Sequence, residues 1–388
     1  MPVRNRFAEM LPEIIDWRRD LHENPEIMYE THRTAGIVAD KLKSFGCDEV
    51  TPGIGRVGVV GVIKGRTDTS GRVVGLRADM DALPIVEETG LDYASKVPGA
   101  MHACGHDGHT AMLLGTAKYL AETRNFDGTC VVIFQPAEEG GGGSLEMIKD
   151  GLLDRWDIDE VYAIHNKPGL GVGQFAMRPG PIMAAADQFE IQVTGRGGHA
   201  AEPHLGVDAT LVASHIVVAL QSVVARNVDP MKQAVLTVST FNASSQAYNV
   251  ISETAVLTGT VRSMDGDVQD LVERRLSEIC EMTAASFGAT ATVDYHRGYP
   301  ATVNSVENTQ FAVDVATEIA GSADGNTPAV MGAEDFSYML ERRPGTFIFL
   351  GNGDSAGWHH PKYNFNDEAI PAGCSWFAGM VESRMPAK

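Results

Sequence analysis

The spacing of apolar residues changes its period twice along this 388-residue chain, at Arg178-Pro179-Gly180-Pro181 and again near Ala301. Those two changes restrict the fold more than any single motif. Before the first, residues 11–21 and 34–45 have helical spacing, the former stopping near Asn24-Pro25 and the latter at Gly46. Short β-branched runs follow at 57–63, 73–76, 131–134 and 161–164, with helical patterns at 110–122 and 144–149 between them. Runs this short and this continuously apolar suit strands buried on both faces, so the first part alternates in the α/β manner. Between the two changes the order is strand (189–193), helix (207–224), two strands (234–241 and 255–261), helix (268–287) and strand (291–296). That order predicts an open α+β sandwich, ferredoxin-like, with one helical layer on an antiparallel sheet. The α/β style then returns. A chain of this length is also too long for one core. The expectation is a two-domain α/β protein, with a discontinuous domain of residues 1–183 plus 301–388 and an inserted domain of residues 184–300.

Charge removes several classes of function. With 51 acidic against 31 basic residues the net charge is -20, which disfavours nucleic acid or an anionic membrane as a partner over any broad surface. An anionic substrate would need a local cationic pocket. The five cysteines, Cys47, Cys104, Cys130, Cys280 and Cys374, are odd in number, scattered and without a C-x-x-C pair, which argues against a disulfide framework and for a reducing cytoplasm. Met1-Pro2-Val3-Arg4 runs straight into a charged amphipathic segment with no apolar core of signal-peptide type, and no stretch is expected to be long enough to cross a bilayer.

The run Met101-His102-Ala103-Cys104-Gly105-His106-Asp107-Gly108-His109 holds three histidines, a cysteine and an aspartate in nine residues. Cys104 and His106 flank a single glycine, which lets both side chains turn toward one ion, and a thiolate beside imidazoles favours zinc or a similar first-row ion over magnesium or calcium. Further clusters stand just past the expected strand ends: Arg77 to Pro84, Gln135-Pro136-Ala137-Glu138-Glu139-Gly140, His165-Asn166, and a segment carrying His359 and His360. Cys104, His106, Glu139, His165 and one of His359 or His360 are too many donors for one tetrahedral ion and suit two ions sharing a bridge. In the doublet, one carboxylate can bind metal while its neighbour remains a proton-transfer base. Asp79 and Asp81 are candidates either to ligate or to orient a ligand imidazole, while His102 and His109 are expected to support the loop and His215 and His296 to be structural or surface residues. In the inserted part, Thr194-Gly195-Arg196-Gly197-Gly198-His199 places an imidazole on a glycine-rich turn suited to an oxyanion, and Asn249 and Arg262 could hold a substrate carboxylate.

In their order and spacing R-A-D-M-D-A-L-P, H-A-C-G-H-D-G-H, Q-P-A-E-E-G, His165, G-R-G-G-H-A-A-E-P-H and H-x-P-x-Y-x-F-N-D resemble the metal-dependent amidohydrolases that include hippurate hydrolases, N-acyl-L-amino-acid amidohydrolases and plant auxin-conjugate hydrolases. Arg18-Arg19-Asp20-Leu21-His22-Glu23-Asn24-Pro25-Glu26 matches as well, so the resemblance spans almost the whole chain. It implies a zinc-peptidase-like catalytic domain with a lid and dimerisation domain inserted. It implies Cys104 as bridging ligand of two divalent ions, with His106, Glu139, His165 and His359 as the others, Glu138 as general base and His199 as a lid residue holding the substrate. His359 is preferred over His360 by the family pattern alone. Trp358 stands where the family usually has Leu, Asn364 where it has Asp and Ser252 where it has Pro, changes that bear on pocket shape rather than on the ligands.

The expected activity is hydrolysis of an N-acyl amino acid by metal-activated water, with Glu138 as base, the lid closing over the substrate. Zinc or manganese is the expected ion, with cobalt or nickel as alternatives, and the expected assembly is a cytoplasmic homo-oligomer, dimer or tetramer, formed through the inserted domain. The alternatives are a dipeptidase or carboxypeptidase of the same chemistry, or a non-catalytic metal- or amino-acid-binding protein, against which the unliganded base in the Glu138-Glu139 doublet speaks.

Overall fold

A computed structural model describes residues 5–387, and the chain divides into two compact units. Unit 1 is Met1–Ile182, Val303–Pro328 and Asp335–Lys388; unit 2 is Met183–Thr302 and Ala329–Glu334. The return of residues 329–334 to unit 2 has no counterpart in the apolar pattern. It is held by single backbone contacts, a bridge from Met183 to Val330 and a hydrogen bond from the Ala184 N–H to the Gly332 carbonyl at 2.9 Å.

Unit 1 is built on a seven-stranded sheet in the order Glu49–Ile54, Gly58–Lys64, Thr129–Gln135, Val73–Asp79, Glu160–Pro168, Gly345–Gly353, Phe175–Ala176. The four strands from Thr129–Gln135 to Gly345–Gly353 are mutually parallel; Gly58–Lys64 and Phe175–Ala176 are antiparallel to them, and Glu49–Ile54, antiparallel to Gly58–Lys64, runs in their direction again. Val131, Val132, Val74, Leu76, Val161, Ile164, Phe347 and Ile348 are buried there, so the continuous apolar runs are two-sided strands. The edge strand Glu49–Ile54 is half exposed and carries Pro52, and it has no apolar run by which to be foreseen.

The helix His106–Thr123 is buried almost all round, packing against Asn5–Glu23 and Ile370–Arg384. Close approach depends on small residues. A Cβ on Gly115 would lie 2.6 Å from the Cδ1 atom of Ile14. This helix begins at His106, four residues before the sequence pattern places it, because Gly105 takes a left-handed φ of 92° and turns the chain directly into the first helical residue. Strand Glu160–Pro168 also runs further than expected, so His165 lies within it rather than beyond its end. The parallel strands all point the same way, which brings Asp79, Gln135, His165 and Gly353 toward the C-terminal end of the sheet.

Unit 2 has an antiparallel four-stranded sheet in the order Ala234–Ala243, Thr254–Ser263, Ala185–Thr194, Thr290–Tyr299. Helices Ala209–Asn227 and Gly266–Ser286 pack on it through Val212, Ile216, Leu220, Val272, Leu276 and Cys280, against Phe189, Ile191 and Leu257. The alternation along Ala185–Thr194, buried at Asp187, Phe189, Ile191 and Val193, is that of a sheet with one covered face. Ala209–Asn227 corrects one expectation: by length and composition it is apolar enough to cross a bilayer, yet its Ala209, Val212, Ala213, Ile216, Leu220 and Val223 side chains are buried in this core.

Candidate metal centre

Among the described residues five groups of three donor atoms lie within 4.8 Å of one another, and three of them converge at the strand ends of unit 1: Cys104 with His106 and His165, Cys104 with Glu139 and His359, and His106 with Glu138 and Glu139. Cys104 belongs to the first two. Its Sγ lies 3.4 Å from the Nε2 atom of His165, and the Nε2 atom of His359 lies 3.4 Å from the Oε1 atom of Glu139. All five donors named from the sequence are thus brought together. His360 belongs to none of these groups, and its Nδ1 accepts from the Lys362 N–H at 3.0 Å.

The tautomers follow from the second nitrogen of each ring. His165 donates Nδ1–H to the Asn166 carbonyl at 2.8 Å, which leaves the Nε2 lone pair directed at Cys104. Burial, reinforced by the neighbouring His109 and His106, holds His165 far below its ordinary pKa, so it is neutral and able to ligate. His109 is used differently. Its Nδ1 faces the Oδ1 atom of Asp79 at 2.6 Å and its Nε2 accepts the Asn166 N–H at 2.9 Å, so both nitrogens are engaged in holding the scaffold. His102 is buried with neither ring nitrogen hydrogen-bonded, and burial lowers it to about 4.

Asp79 and Asp81 are both committed to protein groups. Asp79 accepts from Arg77 at 2.6 Å as well as from His109. Asp81 accepts the backbone N–H groups of Glu138 at 3.0 Å and Glu139 at 3.1 Å, so a buried carboxylate fixes the backbone of the acidic doublet. Ala137, just before the doublet, has a φ of 54°, a left-handed conformation unusual for a residue with a Cβ. The turn is further held by the Gly141 and Gly143 N–H groups, both donated to the Ala137 carbonyl at 3.2 Å.

The electrostatics fit a bound cation. Although burial alone would lower His106, the charges of Asp79, Asp81 and Glu139 push it up to about 10. Burial, then the charges of Glu139, Glu138 and Asp79, drive the Cys104 thiol well above its ordinary range. Both ring nitrogens of His106 and the Oε1 atom of Glu139 are buried without a hydrogen bond, although Asp81 lies 3.4 Å from Nδ1 and Glu139 lies 3.9 Å from Nε2. Divalent cations would relieve this excess of negative charge and satisfy the orphaned donors together.

The sequence reading missed a buried support beneath the doublet. Arg77 donates to Gln135 at 2.8 Å and to Asp335 at 3.1 Å, Gln135 donates to Asp335 at 2.7 Å, and Asp335 also accepts the Ser144 N–H at 2.9 Å. Asp335 is some 200 residues from Gln135 and belongs to no recognisable motif, so the sequence held no signal for it. Gly105 had one. A Cβ there would come within 2.4 Å of both the Asn166 amide nitrogen and the Tyr363 hydroxyl, and its φ is left-handed. Gly105→Ala is expected to destabilise the protein by about 2–4 kcal/mol, the sum of the left-handed conformation and the overlap. The urea midpoint should fall, while Gly36→Ala, in a helix with nothing within 4 Å of the new Cβ, should leave it unchanged or raise it.

In unit 2 the structure brings two of the three predicted substrate residues together. His199 pairs with Val250 across a two-stranded ribbon, the Ala200 N–H donates to the Asn249 carbonyl at 3.0 Å, and His199 and Asn249 are both exposed. Arg262 is elsewhere, near the far end of the strand Thr254–Ser263, where it donates to the Val261 carbonyl and the Thr260 hydroxyl and lines a shallow polar cleft with Glu190 and His296.

A family model described as peptidase family M20/M25/M40 matches residues 75–383. A hippurate hydrolase of Campylobacter jejuni is 41% identical over 381 residues, covering 96% of this chain and 98% of the relative. An N-acetyl-L-cysteine deacetylase of Bacillus subtilis is 42% identical over 359 residues, covering 92% of this chain and 85% of the relative. A crystal structure of a dinuclear metal-binding peptidase of the M20 family from Bacillus subtilis superposes with a TM-score of 0.86 at 32% identity, covering 98% of this chain and all of the other, 100%.

Proposed function

The chain belongs to peptidase family M20/M25/M40, and from that premise we propose that it is a metal-dependent amidohydrolase cleaving N-acyl amino acids of the hippurate or N-acetyl type into a carboxylic acid and a free amino acid. The observation that carries the reading is that Cys104 is common to two three-donor groups while Glu138 stands in a third with His106 and Glu139. One ion would be held by Cys104, His106 and His165 and a second by Cys104, Glu139 and His359, the thiolate serving both. Zinc or manganese suits this mixed sulfur, nitrogen and oxygen set first, then cobalt or nickel. Bound ions supply Lewis acidity, polarising the scissile carbonyl and lowering the pKa of the attacking water.

The chain's own residues do the rest. Glu138 takes the proton of the attacking water and delivers it to the leaving amine nitrogen, so that the amine departs neutral as the C–N bond breaks. Asp81 holds the doublet's backbone so that Glu139 and Glu138 keep separate tasks. His199, on its ribbon, and Asn249, which immediately precedes the partner strand, are both exposed and are assigned to the substrate. A carboxylate held by Arg262 would bind at its own cleft rather than beside His199. The exposed apolar residues Val235, Phe241, Leu211 and Val218 of unit 2 support self-association through that unit, and the five free cysteines suit a reducing compartment.

The test is release of free amino acid from hippurate and a panel of N-acetyl amino acids by chelated protein re-supplied with each divalent ion in turn. Metal-dependent release is expected. No release with any ion, with dipeptides cleaved instead, would move the assignment to a peptidase.

A further inference from the structure

Asn166 does more than neighbour His165. It is fully buried, and every polar atom it owns is used. Its backbone carbonyl accepts both the His165 Nδ1–H at 2.8 Å and the Trp358 indole N–H at 3.1 Å. Its backbone N–H donates to His109 at 2.9 Å. Its side-chain amide donates to the Cys104 carbonyl at 2.5 Å, and its Oδ1 accepts the Tyr363 hydroxyl at 2.7 Å. One residue is therefore bonded to the Cys104 loop, to the His165 ring and to the segment bearing His359, on both sides of that histidine.

The His359 side needs such an anchor. His359 has a φ of 63°, which a residue with a Cβ seldom adopts, and its side chain is half exposed. Three contacts hold it: its own N–H donates to the Ala103 carbonyl at 2.8 Å, the preceding Trp358 bonds Asn166, and Tyr363 bonds Asn166 from the other side. Trp358 also stands edge-on to His165, with ring centroids 5.2 Å apart at 80°. The crowding at Gly105 comes from the same two groups, the Asn166 amide and the Tyr363 hydroxyl, so the loop between Cys104 and His106 is moulded onto this node.

We propose that Asn166 is the positioning residue that joins the two ligand sets, with Trp358 and Tyr363 as the two struts by which it presents His359. The proposal rests on the two-ion reading given above. Groups that orient ligands commonly change metal affinity by about 10- to 100-fold when removed, and here the pattern of losses is specific. Tyr363→Phe keeps the ring and Trp358→Phe keeps a smaller aromatic ring, and each removes one donor to Asn166. Asn166→Asp keeps the size and the Oδ1 acceptor but turns a carboxylate oxygen toward the Cys104 carbonyl.

The experiment is chelator competition with zinc on the full chain, read as stoichiometry and affinity for each ion, with the thermal midpoint of the metal-free protein and kcat and KM at saturating zinc alongside. Trp358→Phe and Tyr363→Phe are expected to weaken one ion about tenfold and leave the other as in wild type, with KM unchanged and kcat restored by excess zinc. Asn166→Asp is expected to weaken both. Wild-type affinity for both ions in the two phenylalanine variants overturns the proposal, as does equal loss of both ions in step with a fall in the metal-free midpoint. If Asn166→Asp fails to fold, the phenylalanine variants decide alone. Fewer than two ions on the wild-type protein would instead refute the two-ion reading, and that is measured separately.

Discussion

Glu138→Gln is expected to keep both ions and lose turnover, with kcat falling by about 10³- to 10⁴-fold and KM staying near the wild-type value. The substitution preserves side-chain shape and removes only proton affinity, and general acid-base catalysis is worth up to about that much. The geometry isolates the effect. Asp81 holds Glu138 through its backbone N–H, which glutamine retains, and the adjacent Glu139 keeps its place opposite His359. Metal analysis and steady-state kinetics on one preparation check it. Loss of metal, or activity within tenfold of wild type, would remove Glu138 from the role of base.

Cys104→Ala is the second large effect, and its signature is the opposite: metal is lost before anything else. Because Cys104 alone is common to the Cys104/His106/His165 and Cys104/Glu139/His359 groups, its removal should abolish tight binding of both ions and reduce hydrolysis to background even at micromolar zinc. His359→Ala, by contrast, touches one group and should leave one ion bound. Equilibrium dialysis separates the two variants. A Cys104→Ala protein that retains two tight ions would show that the thiolate is not shared.

Much of this centre was readable because its chemistry is concentrated. Cys104, His106 and the Glu138-Glu139 doublet sit in short runs whose composition has few uses other than metal binding, and their strands are apolar enough to be placed. The alternating periods likewise revealed the parallel sheet of unit 1 and the antiparallel sheet of unit 2. What stayed hidden was whatever depends on a partner distant in sequence. Asn166 looks like an ordinary residue after a histidine until Cys104, His109, Trp358 and Tyr363 are folded onto it, and Asp335 acquires meaning only beside Arg77 and Gln135. The helix start at His106 was missed for a related reason: His106 to His109 read as part of a metal-site loop, with His109 as its support, while the backbone that holds them is already a buried helical turn. Edge strands such as Glu49–Ile54, half solvated and lacking an apolar run, carry too little patterning to be found.

The order of the chain has a temporal consequence. His106, Glu139 and His165 precede the inserted unit, whereas His359 follows it, on the segment leaving the strand Gly345–Gly353, which adds to the edge of Glu160–Pro168. At about 5–20 residues per second of synthesis, the roughly 200 residues between His165 and His359 take about 10–40 s to appear. During that interval Cys104, His106, Glu139 and His165 have been made, while His359 and the last central strand have not. The proposed second donor set, and with it the two-ion site, is therefore complete only once the segment carrying His359 has been made.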